Sequence, residues 1–532
     1  MKATLSRWRS YLPPLLATVI AITVILLAYQ TYAGQQVIGA DLATYVLPGW
    51  SWLHGQGAPY SEFFDVKPPL TFAFFIPWMF VFGKSLAGFW LLYLLCLGVF
   101  FASFWLVVRK VANSWLALLI FASFSAVTVG LGLLEDLFFV TEVIGFDAVF
   151  LGFLFIARTN PKIWHYFAAA FLMGCAGQIK ELFILTPLVV FIAALRKSDH
   201  RRKAVLWSIS GCASAIIMTI AVLLLWGLDS FHSYIEILGF KREMFPAPSI
   251  TEVPNLVGIL IWAVQTQALP GFIFLILVTF VVLIWKKQTR RPIGLVSWLG
   301  LSGLVAILSL LTLAGYLWQG HGFYGHYALS ALVPIYLLVA LCGSIILRSF
   351  NAQGKRSVIF SWILIFVLVA PTPSIVNWDL GRTRSISIVE PIRGVIELES
   401  PSALARFENI HGSLSDSECL YVVNGWAAPA QYLYANVQAC TRFIVPPLTL
   451  SPQFRDELVS TLEKNPPRVM IVDPALAYEA DHSNLSQVNV DEIIKNCYSL
   501  STFDEMTYLS NAKDIAITQR CWIENSKLKP QG

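Results

Sequence analysis

Charge is scarce in this chain of 532 residues, since only 13% of them are Asp, Glu, Lys or Arg. Soluble proteins carry about 25% charged residues. Hydrophobic residues make up 57% of the chain, and its mean hydropathy is +0.66. A bilayer core requires apolar stretches of about 20 residues. The composition therefore excludes an ordinary soluble globular protein and favours a polytopic membrane protein.

Several motifs of soluble enzymes and secreted proteins are also lacking. The sequence contains no CxxC, HExxH, GxxxxGK[ST] or GxSxG, so nothing in it supports a soluble-type zinc site, a P-loop or a hydrolase. We expect no metal and no cofactor. No small-residue cleavage site follows the first apolar run, which we interpret as a transmembrane helix with a cytosolic N-terminus.

The charge that is present divides the chain into two parts. Residues 1–373 contain 24 Lys and Arg and 13 Asp and Glu, whereas residues 374–532 contain 13 and 19. We predict a helical transmembrane domain over 1–373 and a soluble α/β domain over 374–532. The runs CLYVV, TRFIV and RVMIVD predict strands in this second domain, and SPQFRDELVSTLEKN predicts a helix.

The transmembrane part contains eleven candidate spans. They are 12–32, 86–108, 115–134, 137–157, 163–179, 182–195, 204–226, 268–285, 293–317, 327–347 and 357–372. This count places 19 of the 24 basic residues on one side, which is the positive-inside pattern of a cytosolic face. These basic residues lie in short loops between apolar runs, so we expect no nucleic-acid partner.

Pro69–Gly83 is apolar but spans only 15 residues, about 22 Å as a helix, against a core of about 30 Å. We predict an interfacial or re-entrant helix on the outer face, with a short true span as the alternative. An odd number of spans in an inner (plasma) membrane places 374–532 outside the cytosol. An oxidising compartment favours disulfides there, and of three possible pairings we expect Cys419–Cys440 and Cys497–Cys521.

The stretch DLATYVLPGWSWLHGQGAPYSEFFDVKPPL, residues 41–70, brings carboxylates, aromatic rings and Lys67 to the side opposite the basic loops. Ionisable groups close to membrane depth mark a functional site by default. The two prolines after Lys67 favour a rigid, extended backbone. We expect them to direct this cation at the membrane surface, where a lipid phosphate lies.

These residues give the chain a family resemblance. It resembles the dolichyl-phosphate-mannose-protein mannosyltransferase and aminoarabinose-transferase-like family of GT-C membrane glycosyltransferases over roughly residues 12–350. The resemblance is carried by Asp41 and Tyr45, by GAPYSEFFDVKPPL, by an interfacial helix ending in FG, by TE at 141–142, by Lys180, and by HY at 326–327. Leu42 follows Asp41, whereas the family usually has a further acid nearby, so Asp41 is the sole close match to the family's catalytic acid.

The resemblance implies transfer of a hexose or pentose from a polyprenyl-phosphate carrier to a lipid, protein or polysaccharide acceptor. Asp41 is then the general base of an inverting displacement, and Glu142 or Asp136 orients the acceptor or the donor sugar. The candidate ligands of the donor phosphate are Lys67, Lys180, Arg242 and His326. The candidate substrate-binding residues are Tyr45, Tyr60 and Tyr327.

Two other functions remain open at this point. A flippase or transporter of lipid-linked glycans is also polytopic, but it needs sites near the midplane and often inverted repeats. No repeat is visible here, and the charges gather at one face. A polymerase or ligase that uses a diphosphate-linked oligosaccharide differs from the polyprenyl-phosphate-dependent glycosyltransferase only in its donor.

Overall fold

The architecture is that of a computed structural model. It describes residues 2–32, 40–130, 141–198, 200–244, 300–319 and 327–351, together with 412, 414, 418–423, 432–433, 435–444, 452–467, 469–472, 499–503 and 506–510. Predicted spans 268–285 and 357–372 lie outside these residues, as do Cys497 and Cys521.

The membrane part is mainly helical in the described ranges, with a non-helical stretch at 54–68. Its helices are α1 Lys2–Tyr32, α2 Ala40–Leu53, α3 Pro69–Phe82, α4 Leu86–Val111, α5 Ser114–Gly130, α6 Thr141–Ile156, α7 Ile163–Ile179, α8 Pro187–Lys197, α9 Arg201–Trp226, α10 Leu228–Met244, α11 Leu301–Gln319 and α12 Tyr327–Asn351. Within the described ranges, four segments are long and apolar enough to cross a membrane, namely Tyr11–Ala28, Leu86–Val111, Arg201–Trp226 and Leu329–Leu347. The chain is an integral membrane protein.

Predicted helix positions agree with the observed ones where prolines and glycines mark the ends. Helix α3 begins at Pro69, whose fixed φ suits a first helical position, and ends at Gly83, which has a φ of 62°. The helix in the predicted span 182–195 begins later than predicted. A 3₁₀ turn at Glu181–Phe183 precedes α8, which begins only at Pro187 because proline lacks the N–H that a continuous helix requires.

One compact unit comprises Met1–Ala33, Leu91–Thr219 and Ala247–Ile392. In it α6 packs on α7, α11 on α12, and α5 on both α1 and α12. Aromatic rings fill the space between α4, α5 and α6, with the Phe104 ring 4.6 Å from that of Phe124 and 6.0 Å from that of Phe150. Such close packing is what holds helices together in lipid, where burial of apolar surface adds little.

The other compact unit comprises Gly34–Trp90, Ile220–Pro246 and Arg393–Gly532. The first loop, which lies between the first two predicted spans and within residues 34–90, and α10 are thus grouped with the C-terminal region. Both come from the part predicted to be transmembrane. Helix α2 packs on α3 in this unit, and Gly49 allows the approach because a Cβ there would lie 2.7 Å from Met79 Cε.

The C-terminal region is α/β, as predicted. Its four strands β1 Leu420–Val423, β2 Val469–Val472, β3 Ser499–Phe503 and β4 Met506–Ser510 form a sheet in the order β1-β2-β4-β3. Strands β1 and β2 are parallel, with helix α13 Pro452–Lys464 between them in the chain, whereas β4 is antiparallel to β2 and to β3.

Two local predictions for this region have definite outcomes. The Cys419–Cys440 disulfide is present, which confirms that pairing. The strand predicted at TRFIV is wrong, since residues 441–444 lie outside any strand. The main-chain carbonyl of Arg442 instead accepts a hydrogen bond from Phe64 of the first loop, a partner that local pattern cannot reveal.

Candidate active site

The segment before α3 holds Lys67 in a defined conformation. Pro68 is the N-cap residue with φ −66° and ψ 151°, so the chain is extended where it leaves Lys67. The Lys67 N–H donates to Asp65 Oδ1 at 3.0 Å, and its Nζ lies 3.2 Å from Asp65 Oδ2. The Lys67 side chain is 28% exposed, whereas that of Asp65 is only 3% exposed. The buried carboxylate thus fixes a partly accessible cation.

Two predicted substrate-binding tyrosines contact Lys67. The ammonium lies 5.0 Å from the centre of the Tyr45 ring, within the range of a cation–π interaction. The Tyr60 hydroxyl donates to the main-chain carbonyl of Lys67 at 2.6 Å. The structure therefore brings together three residues that sequence reasoning placed in the site. The contact of either tyrosine with a sugar stays a prediction.

Tyr60 has an unusual backbone and a fully buried side chain. Its φ of 72° lies in the left-handed region, which is uncommon for a residue with a Cβ. Its ring lies 5.6 Å from Phe72, 6.1 Å from Trp226 and 4.9 Å from Tyr234. Strained backbone persists only where its surroundings determine it, as this ring cluster does. Tyr60 therefore holds the Lys67 segment in place from within the core.

Glu142 and Lys180 form an ion pair in the other compact unit. Glu142, in the first turn of α6, is fully buried, and its Oε1 lies 2.9 Å from Lys180 Nζ. Lys180 follows α7 in extended conformation and has a 15% exposed side chain. A buried ion pair of this kind fixes the positions of both side chains, since removing either partner would leave the other uncompensated.

Small residues allow the turn after Lys180 to pack closely. A Cβ at Gly145, one helical turn after Glu142, would collide with the Phe183 ring, and one at Gly315 in α11 would collide with the main chain of Leu182. The Phe183 ring also packs on Phe146 at 4.9 Å. The 3₁₀ turn, and with it Lys180, is thereby held between α6 and α11.

The remaining predicted site residues are described only in part or not at all. Asp41, Arg242 and Tyr327 have backbone positions in α2, α10 and α12, and their side chains lie outside the described part of the structure. Asp136 and His326 lie outside the described residues altogether. Asp41 is the second residue of α2, one turn before Tyr45.

Comparison with known proteins identifies the fold. No protein-family model and no curated protein sequence matches the chain. Among solved structures, ArnT from Cupriavidus metallidurans bound to undecaprenyl phosphate matches over 94% of this chain and 98% of its own, with a TM-score of 0.50 and 12% identity. The chain has the polytopic GT-C fold of ArnT. The similarity to ArnT covers the membrane helices and the C-terminal region together, so the GT-C fold class predicted from the sequence is confirmed.

Sequence reasoning assigned no role to two residues that contact Lys67 or the loop before it. Asp65, two positions before it, is the buried partner of its ammonium. Arg442, in the C-terminal region, binds the same loop through its main chain. The alternation Asp-Val-Lys could have suggested the first, because carboxylates commonly pair with a nearby cation. No local signal indicates the second.

Replacing Tyr60 by Phe should leave the protein folded and weaken the hold on Lys67. The substitution keeps the ring packing and removes the hydrogen bond to the Lys67 carbonyl, which is worth about 1 kcal/mol. We expect a fall of a few degrees in thermal midpoint and, if the chain is a glycosyltransferase, a rise in the KM for donor of about fivefold. Tyr11→Phe, which alters an exposed ring, is the control. An unchanged midpoint and KM in Tyr60→Phe would show that this hydrogen bond is dispensable.

Proposed function

We propose that the chain is a membrane glycosyltransferase that transfers a sugar from a polyprenyl-phosphate carrier to an acceptor at the outer face of the membrane. The observation that carries the proposal is the arrangement at Lys67. A partly exposed ammonium is held by a buried carboxylate, an aromatic face and two prolines at the start of an apolar helix. Such a fixed cation suits a lipid phosphate as a point charge.

The fold supports the choice of donor. ArnT, whose GT-C fold the chain shares, was crystallised bound to undecaprenyl phosphate, which is the phosphate carrier itself. A carrier of the same chemical class has the two parts that the Lys67 region accommodates. Its phosphate requires a cation, and its isoprenoid chain requires apolar surface such as that of α3, where Phe80 and Val81 are exposed.

The proposed reaction is a single displacement at the anomeric carbon. The acceptor oxygen or nitrogen attacks this carbon as the bond to the phosphate oxygen breaks, and the electron pair leaves with the polyprenyl phosphate. Asp41 accepts the acceptor's proton, a contribution of about 10²–10⁴-fold. Lys67 stabilises the charge that develops on the leaving phosphate, because a cation already in place needs no reorganisation during the reaction.

The other site residues have supporting roles in this proposal. Glu142 orients the acceptor or the donor sugar, with Asp136 as the second candidate. The ion pair with Glu142 holds Lys180 in position as a further phosphate ligand. Arg242 and His326 are additional phosphate ligands, and Tyr45, Tyr60 and Tyr327 line the substrate site.

The proposal requires the C-terminal region to lie outside the cytosol. We expect protease added to intact spheroplasts to digest residues 374–532 while a cytosolic marker stays intact. The reason is the positive-inside distribution of basic residues, with the Cys419–Cys440 disulfide as a second indication. Digestion only after the membrane is permeabilised would reverse the topology and move the reaction to the cytosolic face.

A comparison of cell-envelope glycans tests the function in cells and identifies the acceptor. Mass spectrometry of lipids, proteins and polysaccharides from cells with and without the protein should show one glycan that loses a single sugar. Expression of the wild-type chain should restore it, whereas the Asp41→Asn variant at equal abundance should not. If the deletion changes no glycan, or if Asp41→Asn restores it fully, the proposed reaction is wrong.

A further inference from the structure

Arg442 of the C-terminal region is the centre of a cluster of contacts. Its Nε and Nη2 donate to the two carboxylate oxygens of Glu457 in α13, both at 2.7 Å. Nη2 also lies 3.8 Å from Glu236 Oε2 in α10. The Arg442 side chain is only 14% exposed. Two-point pairing of this kind fixes the orientation of the guanidinium as well as its position.

The same residue holds the loop that carries Lys67. The main-chain carbonyl of Arg442 accepts a hydrogen bond from the Phe64 N–H at 2.8 Å. The Phe64 ring lies 5.1 Å from that of Phe443 and 4.7 Å from that of Phe454, and the guanidinium lies over all three rings at 5.2–5.7 Å. Phe64 is therefore anchored by main chain and side chain together.

The anchor is close to Lys67 along the chain. Phe64 precedes Asp65, the partner of the Lys67 ammonium, and three residues of extended chain reach only about 10 Å. A shift of Phe64 must therefore move Asp65 and the cation that it holds. The placement of Lys67 thus depends on Arg442 through two contacts, that of Arg442 with Phe64 and that of Asp65 with Lys67.

A second contact joins the C-terminal region to the other end of α3. Lys84, just after this helix, donates to the main-chain carbonyl of Leu433 at 2.9 Å, and its Nζ lies 5.7 Å from the centre of the Trp50 ring. The C-terminal region thus contacts the chain before and after the apolar helix that Lys67 precedes.

The disulfide fixes the segment that contains Arg442. Cys440, two residues before it, is joined to Cys419, which directly precedes β1, and the Cys440 N–H donates to the Leu420 carbonyl at 3.1 Å. The segment that contains Arg442 is therefore held against the edge of the sheet close to β1.

From these contacts we infer that Arg442 is a positioning residue for Lys67. We further infer that the C-terminal region acts as a clamp on the donor-phosphate loop, residues 60–67. The clamp consists of Arg442, Glu457, Phe443 and Phe454 acting on Phe64. Its effect on turnover rests on the proposed glycosyltransferase function, whereas its effect on the loop does not.

Hydrogen exchange measured by mass spectrometry tests the clamp without any substrate. In the full-length protein, Arg442→Gln and Glu457→Gln should accelerate exchange in the peptide covering 60–67 by about tenfold, because losing a charge-assisted hydrogen bond shifts local opening by that order. Asp456→Asn is the matched control, since it makes the same chemical change at the exposed neighbour of Glu457. It should leave exchange in this peptide unchanged.

Steady-state kinetics provide the second measurement. With an active enzyme, Glu457→Gln should raise the KM for donor about tenfold and change kcat less than twofold, because displacement of Lys67 weakens phosphate binding. Arg442→Lys retains the charge but loses the two-point pairing, so its KM should lie between those of the wild type and Arg442→Gln. A purely structural role would lower the amount of active protein and leave KM unchanged.

The outcomes separate the two proposals. Faster exchange at 60–67 in a protein that transfers no sugar supports the clamp and rejects the proposed function. Wild-type exchange in Glu457→Gln, or equal acceleration in Asp456→Asn, overturns the clamp whatever the activity. If Arg442→Gln does not fold, the milder Glu457→Gln and Arg442→Lys variants decide.

Discussion

Asp41→Asn should reduce turnover by about 10²-fold or more while the protein stays folded and binds donor. Asn has nearly the size of Asp and keeps an acceptor oxygen, but it cannot accept a proton at neutral pH. The variant should therefore show a near-normal thermal midpoint and a near-normal KM for donor. The measurement is kcat, KM and thermal midpoint on one purified preparation.

A structural role for Asp41 predicts a different result. Asp41 is the second residue of α2, where a negative charge interacts favourably with the helix dipole by about 0.3–1 kcal/mol. A role at the helix end predicts a small loss of stability and near-normal turnover. In that case the general base would be Glu142 or Asp136, and Glu142→Gln should be measured next.

Lys67→Ala should lower kcat/KM for donor by about 10²-fold, since it removes the proposed phosphate ligand. The structure adds a complication, because the substitution leaves the buried Asp65 carboxylate without its cation. An uncompensated buried charge is destabilising. Lys67→Ala alone should therefore lower both activity and thermal midpoint.

The double variant Asp65→Asn/Lys67→Ala separates these effects. It removes the buried charge together with its partner, so the thermal midpoint should return towards that of the wild type while kcat/KM stays low. Lys67→Arg should retain part of the activity, because the charge persists with different geometry. Full activity of the double variant at limiting donor would rule out a role for Lys67 in phosphate binding.

Local sequence patterns correctly predicted several helices and strands whose ends such patterns mark. Helix α7 was predicted at 163–179 and is observed at Ile163–Ile179, and α3 agrees with its predicted range to within one residue. A β-rich run, a helix and a second β-rich run likewise indicated β1, α13 and β2. Proline, glycine and apolar periodicity act on a few neighbouring residues, so a short stretch of sequence is enough to predict their effect.

Contacts between distant parts of the chain could not be predicted in this way. Lys84 and Leu433 are 349 residues apart, and the Arg442 segment that looked like a strand is bound to the first loop. Helix α10, which lies between the predicted spans 204–226 and 268–285, contains Tyr234 and Glu236, the partners of Tyr60 and Arg442. At the site, sequence reasoning selected Lys67, Tyr45 and Tyr60 but assigned no role to Asp65, because burial of a carboxylate depends on tertiary packing.

The most direct test of the central claim is sugar transfer by the purified protein in detergent, where no membrane gradient exists. Polyprenyl-monophosphate sugars are supplied with an extract of envelope acceptors, and the polyprenyl phosphate released is quantified by mass spectrometry, with Asp41→Asn as the control. The proposed function predicts release by the wild type, matched by sugar on an acceptor, and about 10²-fold less by the variant. No release of polyprenyl phosphate by the wild type, or equal release by Asp41→Asn, would contradict it.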